Sequence, residues 1–263
     1  MTTTESKAET ANWLTESLRL TAFLAPSAEV KAEGWWAATV GSEPESRSAK
    51  PSRGEFVDIG SYLDNSLTLS VQPGRIDWIL TPSQAQIENL EITLKTVGRF
   101  PDVADAFAHA MSVWLTNCPS IIRLAYGAVL FERVDTREAG YRRLSKYLPS
   151  VKIDVDSQDF FYQINRPKLL SDGKENLTIH RLSKWSVLAA QPVRLAFAVG
   201  SPPTLAPPTL FAPEDLIVYA CRLELDLSTP GNRQNELDHD ELPTIFRQLA
   251  NFGSEIADRG DIP

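Results

Sequence analysis

The sequence is short of the residues that usually announce a chemistry. It holds two cysteines, Cys118 and Cys221, far apart and with no second ligand pair beside either. That excludes a disulfide framework and argues against structural zinc. None of its 13 glycines falls in a G-x-x-x-x-G-K-[ST] or G-x-G-x-x-G pattern, so the familiar phosphate-cradling loops are missing. No G-x-S-x-G elbow is present, and Cys118 has no readable histidine partner. No apolar run approaches the roughly 18 residues of a membrane-spanning helix. The opening MTTTESKAET is polar and lacks a signal-peptide core. The expectation is a cytoplasmic protein with no membrane segment, no cofactor and no structural metal.

What is present is a globular composition: 263 residues, 43% hydrophobic and 23% charged, with a net charge of -8. That rules out wholesale disorder and is enough for a large core without staples. Period-2 alternation dominates. Leu18, Leu20 and Ala22 alternate with polar neighbours, as do Leu67, Leu69 and Val71. Pro73-Gly74 then fits a type II turn into Ile76, Trp78 and Leu80, which makes a hairpin. Further strands are expected at Leu90–Leu94, Phe160–Ile164, Leu177–Val187, Val193–Val199 and Leu223–Leu227. The run Ile121–Val134 is apolar on both parities at several positions and reads as a central strand covered on both faces.

Three amphipathic helices are expected. Val103, Phe107, Ala110, Met111 and Trp114 form one stripe. A second helix starts after Asp135, as its cap, with Tyr141, Leu144 and Leu148 inward. The third carries Ile245, Leu249, Phe252 and Ile256, with Asp240 as its cap. The class is therefore α+β, a mainly antiparallel sheet with about three helices. The order of elements divides it into two similar halves, 1–135 and 136–263, or runs through both as one continuous domain. Residues 41–54 read as a flexible surface loop, and 201–213, with five prolines and no charge, as an extended connection. Trp35 and Trp36, adjacent on an extended chain, point to opposite sides.

Candidates for chemistry are few. His109 reads as a helix-boundary histidine and His180 as a surface one. His239 lies in an acidic helix start that complements the helix dipole better than it resembles a metal site. Asp154, Asp156 and Asp159 have a spacing that a divalent metal in a hydrolase or nuclease could use, against the plainer reading of a solvated loop. Charge is more informative. Residues 137–190 carry ten basic against six acidic residues, whereas 214–263 carry four against eleven. Arg142, Arg143 and Lys146 share a helix face, followed by Arg166, Lys168, Arg181, Lys184 and Trp185. They form a candidate surface for a protein partner, for self-association with the acidic end, or for nucleic acid.

Arg123-Leu-Ala-Tyr-Gly127, Gly140-Tyr-Arg-Arg-Leu144, Tyr162-Gln-Ile-Asn-Arg-Pro167 and Leu223-Glu-Leu-Asp226 before the last helix resemble, in their order, a sporadically distributed family of uncharacterised bacterial proteins of about this length. The resemblance implies no catalytic residues, and the family's scattered distribution implies mobile or antiphage-defence genes. The sequence thus points first to a non-enzymatic binding or accessory subunit acting through protein–protein contacts. A nucleic-acid binder using 137–190 comes second, and a metal-dependent hydrolase using the three aspartates third.

Overall fold

Strand alternation gathers nearly every extended segment into one antiparallel sheet. The computed structural model describes residues 12–83, 94–170, 177–190, 217–233 and 235–261. Its strands are β1 (Leu14–Leu24), β2 (Ser46–Lys50), β3 (Glu55–Tyr62), β4 (Asn65–Gln72), β5 (Arg75–Thr81), β6 (Gly98–Arg99), β7 (Ile121–Val134), β8 (Phe161–Asn165), β9 (Lys168–Leu169), β10 (Thr178–Ala190) and β11 (Val218–Ser228). Its helices are α1 (Trp35–Val40), α2 (Phe100–Leu115), α3 (Arg137–Tyr147) and α4 (Leu242–Arg259). The protein is α+β. Sheet order is β2-β3-β4-β5-β1-β7-β11-β10-β8, with β6 beside β1 and β9 beside β10.

The order is mirrored about the central β1–β7 pair. β1 leads into α1, and the meander β3-β4-β5 returns to lie beside β1 before α2. β7 leads into α3, and β8, β10 and β11 return to lie beside β7 before α4. Leu225 stands opposite Ala128 and Leu227 opposite Tyr126, so strands from both sides of residue 135 share one sheet.

All four helices lie against the same face. Trp36 of α1 packs on Trp78 at 5.8 Å between ring centres, and Trp114 of α2 at 6.1 Å from it. Phe107 of α2 meets Phe246 of α4, which in turn sits on Tyr126 of β7. Tyr147 of α3 stacks on Trp185 at 5.6 Å, and Trp13, just before β1, completes that group and donates its indole N–H to Ala257 O at 2.8 Å. These rings are buried, so truncating one such as Trp78 removes about 3–5 kcal/mol of stability.

Several expectations change. Residues 41–54 are not wholly loop: β2 pairs there with β3, and Arg47 reaches the buried Asp58 at 2.8 Å. Charge and serine hid an edge strand that sits beside only one neighbour. The Trp35-Trp36 pair opens a helix between Gly34 and Gly41 rather than an extended segment; Trp36 is buried and Trp35 partly so. Thr136, not Asp135, caps α3, its hydroxyl accepting from Ala139 N at 3.2 Å. Asp240 lies in a short 3-10 turn capped by Asp238, and α4 begins at Leu242 with Pro243 in its first turn. β7 is central and is buried on both parities at several positions, Ala125, Gly127 and Phe131 on one and Leu124, Tyr126 and Leu130 on the other; among the described residues the helices pack on the second of these faces. The Pro73-Gly74 turn holds, with Gly74 at φ +76° and Gln72 opposite Arg75. The strands expected at Leu90–Leu94 and Val193–Val199 and the proline-rich stretch fall wholly or mostly outside the described residues.

The end of α4 is fastened to α3. Gly260, at φ +80°, brings Asp261 N to Tyr147 O at 2.9 Å, and a Cβ on Gly260 would lie 2.0 Å from that oxygen. Gly260→Ala is expected to cost about 3 kcal/mol, read as a fall in the denaturation midpoint. Cys118 and Cys221 are free and buried, and burial pushes both thiols up to about 12, with the charge of Glu132 adding to the effect at Cys221. Native protein at pH 8 should therefore show no thiol reacting with an aromatic disulfide reagent, and two after unfolding in guanidinium.

Candidate functional site

The basic residues singled out in the sequence do not form one surface. Arg142, Arg143 and Lys146 line a cleft of about 500 Å3 between α3 and the end of β7. Within it Arg143 is committed: its Nε donates to Glu132 Oε2 at 2.9 Å and its Nη2 to Oε1 at 2.5 Å, while Tyr147 OH donates to the same carboxylate at 3.1 Å. The tyrosine hydroxyl is raised well above its ordinary value by burial and then by the Glu132 charge. Arg166, Lys168 and Arg181 gather instead at the flank of α4. Arg166 holds Asp261 through two nitrogens at 2.5 and 3.0 Å, and Lys168 and Arg181 both approach Glu255 and lie over the Phe252 ring. Lys184 is on the opposite face of the sheet, beside Glu224. Trp185 is fully buried, so its ring is a core element and not a surface platform.

The basic middle of the chain and its acidic end therefore meet within the molecule. Four basic residues from 137–190 (Arg166, Lys168, Arg181 and Lys184) pair with Asp261, Glu255 or Glu224. The Arg166–Asp261 pair is bidentate, and its carboxylate is nearly inaccessible, the arrangement that is strongest per pair.

The other candidates are placed apart. His109 is exposed on α2, near Arg247 and Asn251 of α4. His180 contacts the Asn165 amide, and His239 lies 3.2 Å from Thr116 O. Asp154, Asp156 and Asp159 are exposed in the loop after α3, where the Asp154 carboxylate accepts from Asp156 N in a local turn.

The sheet face opposite the helices holds a feature that the sequence did not single out. Among the described residues no helix packs on this face, although Thr21, Asp77, Ala125 and Ser228 on it are buried. One row crosses it in register: Thr68, Ile79, Arg19, Gly127, Asp226, Leu182 and Asn165, from β4, β5, β1, β7, β11, β10 and β8. At its middle is a depression of about 390 Å3, lined among others by Arg19, Gly127, Val129, Lys184, Glu224 and Asp226. Its floor is Gly127. The Arg19 guanidinium lies flat over that glycine, with Nε and Nη2 each 3.3 Å from where a Cβ would stand. Arg19 makes no ion pair among the described residues, and its buried Nε has no hydrogen-bond partner among them. Asp226, two strands away, likewise has no partner among them. At one end of the face Arg75 and Arg123 both lie over the Phe23 ring, Arg75 held by Asp77 and Arg123 by Ser228.

Period-2 alternation put Arg19 and Asp226 on the polar parity of their strands. Only the inter-strand register, which joins residues about a hundred positions apart, sets them on either side of a glycine. No family model, curated protein or solved structure matches the chain.

The structural role of Arg143 is separable from its neighbours. Arg143→Ala, which strands the nearly buried Glu132, is expected to lower stability by about 3 kcal/mol in a denaturant titration. Arg142→Ala should change it by no more than about 0.5 kcal/mol.

Proposed function

We propose that this protein is a non-enzymatic binding or accessory subunit of the bacterial cytoplasm, acting through protein–protein contacts made by the bare face of its sheet. The observation that carries the reading is the one-sided architecture: a wide sheet with four helices on one face and, among the described residues, none on the other. A sheet face holding apolar side chains gains by burying them against a second layer, and a partner can supply that layer. Ile59, Ile79, Val129, Leu182 and Phe161 are among its apolar members, with Ile59 39% and Phe161 64% exposed. The charged groups on this face, with the unpaired Arg19 among them, supply specificity rather than a reaction centre. By contrast, the 137–190 basic residues are largely spent on contacts inside the chain.

The test is affinity capture from the native host with Ile79→Glu and Leu182→Glu on the bare face and Val113→Glu on the helix side as control. The sheet-face variants are expected to lose the co-purifying polypeptide while retaining the parental circular dichroism spectrum, and the Val113 variant to keep it. Capture unaffected by either sheet-face change overturns the reading. Captured material removed by nuclease overturns it in favour of nucleic-acid binding through 137–190.

A further inference from the structure

We infer that the β8–β9 edge of the sheet pairs with the same edge of a second copy of this chain, antiparallel about a twofold axis at Asn165. This edge is a separate surface from the bare face, and its pairing does not depend on what that face binds. β8 and β9 follow β10 without a shift of register, from Phe161 opposite Ser186 to Leu169 opposite Thr178. Arg166 N donates to Arg181 O at 3.1 Å and Leu170 N to Leu177 O at 2.8 Å, so the even-numbered residues turn their backbone groups toward β10. Those of Phe161, Gln163, Asn165 and Leu169 therefore point away from the sheet, as does the carbonyl of Pro167. None of these outward groups has a hydrogen-bond partner among the described residues.

The two ends of the sheet treat an open edge differently. β2, at the far end, carries Arg47 and Lys50 and runs straight into Pro51, devices that discourage strand pairing. β8 reads Phe-Tyr-Gln-Ile-Asn, with no charge and no proline. Pro167 follows it at an outward position, where its missing N–H costs the β10 ladder nothing. The edge also holds the two most exposed large apolar side chains among the described residues, Phe161 at 64% and Leu169 at 55%. Both project on the side of the sheet away from the helices, at equal distances either side of Asn165.

That equal spacing makes the edge self-complementary. With the axis at Asn165, Phe161 of one copy faces Leu169 of the other, Gln163 faces Pro167, and Asn165 faces itself. Every outward N–H then meets a carbonyl, and Pro167, which has no N–H, offers its own carbonyl to Gln163. On the helix side Tyr162 faces Lys168 and Ile164 faces Arg166, so no charge meets its like. An axis at Gln163 or Ile164 carries Leu169 past the end of the facing strand, and an axis at Arg166 sets Arg166 against Arg166. The axis at Asn165 stands perpendicular to the sheet, so the pair forms one continuous sheet with both helix layers on the same side. A strand from an unrelated protein could satisfy the same ladder, but a second copy brings an apolar side chain to each exposed one in the register that uses every donor.

Sedimentation velocity of the full chain over a concentration series tests this, with circular dichroism confirming that each variant is folded. Wild-type protein is expected to dimerise. Gln163→Pro removes an outward N–H and places a ring in the path of the incoming strand, while the β10 ladder keeps its bonds. It should weaken the dimer at least tenfold. Phe161→Lys and Leu169→Glu should each weaken it several-fold, and the double variant, with opposite charges across both outer pairs, should associate more tightly than either. Ile79→Glu, on the bare face, should leave the dimer intact. A short bis-maleimide should join copies carrying Asn165→Cys, whose Cα atoms stand about 5.5 Å apart across the axis. It should not join copies carrying Ser48→Cys on the far edge. A strict monomer, a dimer indifferent to Gln163→Pro, a dimer lost with Ile79→Glu, a double variant no tighter than the singles, or crosslinking at Ser48 without crosslinking at Asn165 each overturns the inference. A monomer from which Gln163→Pro strips a different captured polypeptide also overturns it, in favour of an edge that takes its strand from another protein.

Discussion

The molecule depends on one ladder, the antiparallel pairing of β1 with β7. Each of these strands opens one half of the chain, and each is flanked on its outer side by the strand that closes that half, β5 beside β1 and β11 beside β7. Break the β1–β7 register by one residue and Tyr126 leaves the helix side while Leu18 and Leu20 stay on it, because a slip by one turns over the whole side-chain set of one strand relative to the other. The two long helices α2 and α4 then lose their common floor, since Phe246 touches both Phe107 and Tyr126. Everything on the bare face follows from the same register, including the placing of Arg19 over Gly127.

That ladder also explains how the helices come to share one side. Rings gather there in three groups: Trp35, Trp36, Trp78 and Trp114 in one half, Trp13, Tyr147 and Trp185 in the other, and Phe107, Tyr126 and Phe246 between them. Large aromatic area makes that face the core. Many residues on the reverse parity are smaller or more polar, and charges there other than Arg19 and Asp226 pair locally, as in Arg75 with Asp77 and Lys184 with Glu224.

Much of this was legible in the sequence. Alternation located the long strands, the Pro-Gly turn located a hairpin, and the stripes Val103–Trp114 and Ile245–Ile256 located the two long helices, because each of those signals is local. What escaped shares a cause. β2 is charged and short because it is an edge, so it carries no apolar pattern. Ile121–Val134 is apolar and buried on both parities, but alternation does not say which elements bury each face. The charge polarity between 137–190 and 214–263 was visible, yet its meaning depended on chain reversal: Arg166 and Asp261 are 95 positions apart and in contact. Arg19 and Asp226 were visible as residues but not as neighbours of one glycine.

The distance in sequence between β1 and β7 has a consequence for synthesis. About a hundred residues separate the two strands, and β11 lies nearly a hundred further on. At roughly 5–20 residues per second, β1 waits about 5–20 s for its central partner to be made. During that time the first half of the sheet has an open inner edge where the finished protein has none. Trp13 waits longer still, because the carbonyl it binds belongs to Ala257 in the final helix. Between the completion of β5 and that of β7 the nascent chain thus holds a half-sheet with an unpaired long strand, a state prone to pairing with the wrong edge.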